Sequence, residues 1–179
     1  GYSAKKGNSW WSWGKEDGKQ YLLLALIIVI IYFVSSILFN SLRQAFIIVF
    51  IIPVSFIGVF LTFYLFKVNF DQGGFASLIL LCGITVNSSI YLVSQFNSIR
   101  ENRPLLSPVR AYVKAWNIKI TPILLTVLST ILGFIPFMIG QNKEAFWFPL
   151  SVGTIGGLIT SVIGIYLYLS IMVVGKKKR

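Results

Sequence analysis

Residues 83–90, Gly83-Ile84-Thr85-Val86-Asn87-Ser88-Ser89-Ile90, set an amide and three hydroxyls in the middle of an apolar run from about Gly74 to Phe96. A bilayer's hydrocarbon core is crossed by roughly 20 helical residues, so this run is long enough to span it. Asn87 then falls near the hydrocarbon centre, where an unsatisfied amide is costly. A polar centre in an apolar helix reads as buried against other helices, and as a candidate functional site. Gly83 would let a neighbouring helix approach closely. The expectation is that Asn87 and its hydroxyl neighbours turn inward, toward other helices.

The remaining composition supplies such neighbours. The chain has 179 residues, is 56% hydrophobic and has a mean hydropathy of +0.80, too apolar for a soluble domain. Outward from the central run, four further spans are predicted, at about 21–39, 45–66, 118–139 and 148–174. Pro53 lies inside the second and should free the carbonyl of Val49, kinking the helix. Pro122 is expected in the first turn of the fourth, where proline is tolerated. Thr126, Ser129 and Thr130 then form a hydroxyl stripe. In the last span Gly153, Gly157 and Ser161 recur every fourth residue, a seam of small residues for close helix packing.

Outside the spans, residues 1–20 form a polar tail with Trp10, Trp11 and Trp13, which fits an interfacial belt or a loosely ordered end. Between Pro108 and Trp116, Val109, Tyr112, Val113 and Trp116 recur at helical spacing, with Arg110 and Lys114 on another face. The segment reads as a short amphipathic helix on the membrane surface, or as a linker helix packed on the spans. Residues 175–179 form a basic tail. The first residue is Gly1, which suggests a piece of a longer polypeptide or a processed or cloned product.

Net charge is +11, but the basic residues fall between and after apolar runs, so charge pairs the chain with membrane and not with nucleic acid. With the C-terminus cytoplasmic, Arg43, Arg100, Arg103, Arg110, Lys114 and the four terminal basic residues lie inside. Lys5, Lys6, Lys15, Lys19, Lys67 and Lys143 lie outside, and the excess inside favours this orientation. The chain has no histidine, one cysteine (Cys82) and five acids, all in predicted connectors or tails. No hydrolytic triad or metal cluster can be assembled from that inventory, no cofactor is implied, and an enzyme is not expected. An ion-driven transporter ordinarily carries an acid at membrane depth, so any such acid would come from outside these residues.

One constellation is left. Asn87 lies mid-membrane, Lys119 begins the fourth span, and Thr126 follows seven residues later, two turns along the same face. Such a row can hydrogen-bond a carboxylate on another helix and respond to its protonation. Alternatively, Asn87 and Thr126 are interhelical glue and Lys119 reaches to the interface.

Residues 83–90 resemble the tenth-helix motif of the resistance-nodulation-division (RND) efflux transporters, the AcrB-like family. Lys119-Ile120-Thr121-Pro122-Ile123-Leu124-Leu125-Thr126 and Thr130-Ile131-Leu132-Gly133-Phe134-Ile135-Pro136 are similar to its eleventh helix. Gly156-Gly157-Leu158-Ile159-Thr160-Ser161 resembles its twelfth, and Pro53-Val54-Ser55-Phe56-Ile57-Gly58 its ninth. The ordered set covers about residues 21–174. The resemblance implies an all-α membrane protein, a five-helix transmembrane bundle corresponding to helices 8–12 of a twelve-helix transporter. It implies a periplasmic origin for residues 1–20, a bacterial inner-membrane location and proton-driven export of drugs, metals or other small molecules. It further implies a homotrimer working with a periplasmic adaptor and an outer-membrane channel, with no activity expected of this portion alone. The family's proton-binding aspartates lie on a fourth helix outside these residues, and the groups facing them map onto Asn87, Lys119 and Thr126. Many multidrug members have lysine where Asn87 stands, arginine where Lys119 stands, an acid at Ser94 and proline at Ser170. The alternative reading is a non-transporting scaffold of similar or sterol-sensing-like fold, or a truncated gene product.

Overall fold

A computed structural model describes residues 13–139 and 146–174, with side chains for 18–139 and 146–172. Trp10, Trp11, the Gly140–Ala145 connector and the basic tail 175–179 lie outside the described residues.

Six helices follow in order: α1 (Trp13–Phe39), α2 (Leu42–Val49), α3 (Ile51–Phe66), α4 (Gln72–Asn102), α5 (Pro108–Ile139) and α6 (Trp147–Val174). Among the described residues, five segments are long and apolar enough to cross a membrane, α2 and α3 together making one of them. That second span is broken at Phe50, just past Val49, whose carbonyl Pro53 deprives of its usual partner. The interruption is small, since the Phe50 amide still donates to the Phe46 carbonyl at 3.0 Å.

Two helices end on a left-handed residue that is not glycine. At Lys67 (φ 51°) the amide donates to the Tyr64 carbonyl and that of Val68 to the Phe63 carbonyl, the paired bonds of a Schellman stop. Asn40 (φ 45°) ends α1 the same way, its amide donating to Ile37 and that of Ser41 to Ser36. α4 begins on Asp71, whose Oδ1 accepts the amides of Gly73 (2.9 Å) and Gly74 (3.2 Å).

Close approaches at glycines define the helix directions. A Cβ added at Gly153 would meet Ser77, and one at Gly157 would meet Leu81, so α4 and α6 rise in parallel. A Cβ at Gly153 would also meet Phe63, one at Gly156 would meet Thr62, and one at Gly164 would meet Val54, so α3 runs antiparallel to α6. These three helices make the core. α4 is its most buried span, whereas α1 and α5 are mostly exposed, which suits peripheral helices in lipid.

Two expectations are corrected. Residues 108–116 are not a separate surface helix: they form the first turns of α5 without a break, and Ala111, Tyr112 and Ala115 are buried. Pro122 is accordingly in the interior of α5, not its first turn, and the helix also runs through Gly133 and Pro136. The cause is length. At about 1.5 Å per residue, α5 extends for about 48 Å, well beyond a hydrocarbon core of about 30 Å. Polar residues at 114–119 therefore mark the edge of the membrane and not the end of the helix.

Candidate functional site

The polar centre of α4 divides into two faces. Thr85, Ser88 and Ser89 are buried within the bundle. Ser88 and Ser89 satisfy their hydroxyls locally, donating to the carbonyls of Ile84 (3.0 Å) and Thr85 (2.8 Å). The Thr85 hydroxyl is buried with no partner among the described residues, as is that of Thr154 on α6.

Asn87 is on the opposite face. It is exposed, and its amide makes no hydrogen bond among the described residues. The expectation that Asn87 and its hydroxyl neighbours turn the same way is therefore corrected: Asn87 faces away from the described helices and the hydroxyls face into them. It stands at the midpoint of α4, about 23 Å from either end. Gly83, Asn87, Tyr91, Ser94 and Ser98 are all exposed at spacings of three or four, so one continuous strip of α4 is left uncovered. Gly83 has nothing within 4 Å of where a Cβ would stand, so it packs against none of the described helices.

On α5, Thr126 is exposed and Lys119 half-buried, seven residues apart and hence on one strip of the helix. The Thr126 hydroxyl donates to the carbonyls of Ile123 (2.8 Å) and Pro122 (3.2 Å). That back-bonding leaves its lone pairs open, so it can still accept a hydrogen bond from a neighbour. No hydrogen bond or ion pair joins Asn87, Lys119 and Thr126 to one another among the described residues. An amide offers two N–H donors and a carbonyl, and an ammonium offers three donors and a charge. This set can receive a carboxylate but holds none itself. Among the described residues no three His, Cys, Asp or Glu side chains gather as metal ligands would.

The seam on α6 is tightly packed. Gly153 lies against Ser77 and Phe63, Gly157 against Leu81 and Val59, and Ser161 is buried, donating to the Leu158 carbonyl at 2.8 Å. Sequence reasoning missed the closest crossing, where Gly58 of α3 meets Gly156 and Thr160 of α6. Thr160 donates to the Ser55 carbonyl across the crossing (3.3 Å), and Thr62 to that of Val152 (3.4 Å). The available signal was the run Ser55, Gly58, Thr62, small residues at spacings of three and four. It also missed a reciprocal amide pair between α2 and α4, in which Asn97 donates to Gln44 (2.8 Å) and Gln44 to Asn97 (3.3 Å).

These features define a class: a polytopic helical membrane bundle with a close-packed three-helix core and a polar strip left open on its central span. The chain belongs to the AcrB/AcrD/AcrF family of RND efflux transporters, whose family model matches residues 11–174. Its fold is similar to that of a heavy metal efflux pump seen in an X-ray crystal structure, with a TM-score of 0.79 at 20% sequence identity. That match covers 93% of this chain and 16% of the pump's chain, so the chain spans about one sixth of the length of the pump.

Proposed function

We propose that this chain is the C-terminal transmembrane portion of a proton-driven RND efflux pump, exporting drugs, metals or other small molecules. On this reading it is inactive alone. Its open strip faces the remaining helices, which supply the proton-binding carboxylates. Asn87, Lys119 and Thr126 are the groups that respond to them. The protein sits in a bacterial inner membrane with its C-terminus cytoplasmic and assembles as a trimer with a periplasmic adaptor and an outer-membrane channel.

One observation carries the reading. Asn87 is an unpartnered amide at the midpoint of a membrane-spanning helix, exposed in a bundle that already buries the other polar groups around it. Hydrocarbon cannot satisfy that amide, and at mid-membrane it cannot reach the interface. A polar surface on further helices satisfies both conditions. When the chain is joined to those helices, Asn87→Leu and Thr126→Ala should each depress export while leaving the amount of transporter in the membrane unchanged. Full export by both variants would remove these residues from the coupling site.

A further inference from the structure

A groove of about 740 Å³ runs between the first turns of α5 and the last turns of α6, on the outer side of the pair. It falls within the range of small-molecule sites, roughly 300–1,000 Å³. Its floor is held rigidly. The Tyr112 hydroxyl donates to the carbonyls of Ile165 (3.1 Å) and Tyr166 (3.3 Å), and the rings of Trp116 and Tyr166 lie 4.9 Å apart. Val109, Val113 and Leu167 line the walls and are exposed.

Beside the groove runs a polar and charged strip of α5 that meets its lining at Asn117. Arg110, Lys114 and Asn117 follow at spacings of four and three, so they form one strip of α5, and Asn117 also lines the groove. All three are exposed, and none has a hydrogen bond or ion pair among the described residues. α5 exceeds the hydrocarbon thickness by about 18 Å, or about 12 residues, which sets 108–119 at the boundary between acyl chains and headgroups. Trp and Tyr rings favour that depth.

We infer that this groove binds an anionic glycerophospholipid of the leaflet at the α4–α5 end of the bundle. An acyl chain lies along Val109, Val113 and Leu167 over the aromatic floor, and the headgroup phosphate is held by Arg110 and Lys114, with Asn117 donating beside them. Charge decides the occupant: the apolar walls accept any acyl chain, but two unpaired cations on the strip beside them select a negative headgroup over a zwitterionic one. The inference does not depend on the pump reading, because it needs only the membrane and this pair of helices.

The test uses the full 179-residue chain, stripped of lipid in detergent and titrated with phosphatidylglycerol or phosphatidylcholine of identical acyl chains. Binding is read by native mass spectrometry. One phosphatidylglycerol should bind in preference to phosphatidylcholine. Removing the charges in Arg110→Gln with Lys114→Gln should weaken phosphatidylglycerol by about fivefold per cation and leave phosphatidylcholine unchanged. Val113→Trp, which fills the groove, should weaken both lipids, and Lys67→Gln at the other end of the bundle should change neither. The double variant changes exposed side chains only, so its fold is not at issue. An unchanged lipid preference in that variant, or full binding by Val113→Trp, would overturn the inference. In native membranes of the complete transporter, a photoreactive phosphatidylglycerol should label residues 108–117. Crosslinking of that segment to another protein helix instead would assign the groove to helix packing and equally overturn it.

Discussion

One chemical change, glycine to alanine, should have different consequences at three positions of the bundle, two inside its core and one on its open strip. At Gly83 an added Cβ meets nothing within 4 Å. Only the backbone term is then left, and exchanging glycine for alanine inside a helix gains about 1 kcal/mol. At Gly157 the Cβ meets the ends of the Leu81 and Val59 side chains, which can rotate aside. The overpacking there should roughly cancel the backbone gain, for a net effect within about 1 kcal/mol of zero. At Gly156 the Cβ meets the Thr62 side chain and the Gly58 carbonyl oxygen. Neither yields easily: the carbonyl is backbone, and the Thr62 hydroxyl is held by the carbonyls of Gly58 and Val59, each at 2.9 Å. Overpacking costs about 1–3 kcal/mol, and a rigid neighbour sets the upper part of that range. Gly156→Ala should therefore be destabilised by about 1–2 kcal/mol after the backbone gain, with Gly83→Ala about 2–3 kcal/mol more stable than it. Reversible unfolding of the 179-residue chain in mixed micelles, followed by energy transfer between labels on α3 and α6, measures both. If all three variants unfold within about 0.5 kcal/mol of one another, the α3–α6 crossing does not organise this core as described.

Other perturbations separate the remaining interactions. Tyr112→Phe removes the pin between α5 and α6 and should destabilise the chain by about 0.5–1.5 kcal/mol, measurable in the same unfolding assay. Gln44→Leu and Asn97→Leu should couple in a double-mutant cycle by about 0.5–1.5 kcal/mol, and a coupling of zero would mean that the amide pair does not tie α2 to α4. Lys67→Gly relieves a left-handed residue and should stabilise the end of α3 by about 1 kcal/mol, seen as slower amide exchange of Val68. Gly83→Leu should be tolerated by the 179-residue chain and yet impair export by the complete transporter, if the open strip of α4 meets further helices there as proposed above. Equal tolerance in both settings would argue against that assignment.

What could be read from residues alone follows from what each signal measures. Long apolar runs report the bilayer's thickness directly, so all five spans are visible without coordinates. Pro53 is equally direct, since a missing amide frees a known carbonyl and the break falls one residue after it. Pro122 was misplaced because Asn117 and Lys119 look like a boundary, but a helix needs no apolar residues to continue into the headgroup region. The side of α4 on which Asn87 lies could not be read either. In a membrane the lipid face and the packed face are both apolar, so the pattern that orients a soluble helix loses its contrast. The α3–α6 crossing was half visible: small residues recur on both helices, but nothing in either spacing says which seam meets which.

The distribution of hydroxyls and amide along α4 bears on how much of a larger bundle these helices represent. A serine or threonine can bend back on its own helix, as Ser77, Ser88 and Ser89 do, each donating to a carbonyl three or four residues earlier. Such groups are tolerated in a membrane with or without neighbours. Asn87 is different in kind. Its amide carries two N–H groups and a carbonyl; a helix carbonyl's second lone pair can take one N–H, but the helix N–H groups are already donated and leave the side-chain carbonyl without a local donor. Full satisfaction at that depth requires a partner on another chain segment, and none of the described residues of α1, α2, α3, α5 and α6 provides one. The same strip carries Gly83, which has no Cβ to hold a neighbour away, one turn toward the start of α4. An unpaired amide beside an uncrowded glycine is costly on a surface facing lipid and useful on a surface that receives another helix. This supports reading α4 as the inner face of a bundle completed by other helices, and it puts the first decisive measurement at Gly83 and Asn87 in the complete transporter.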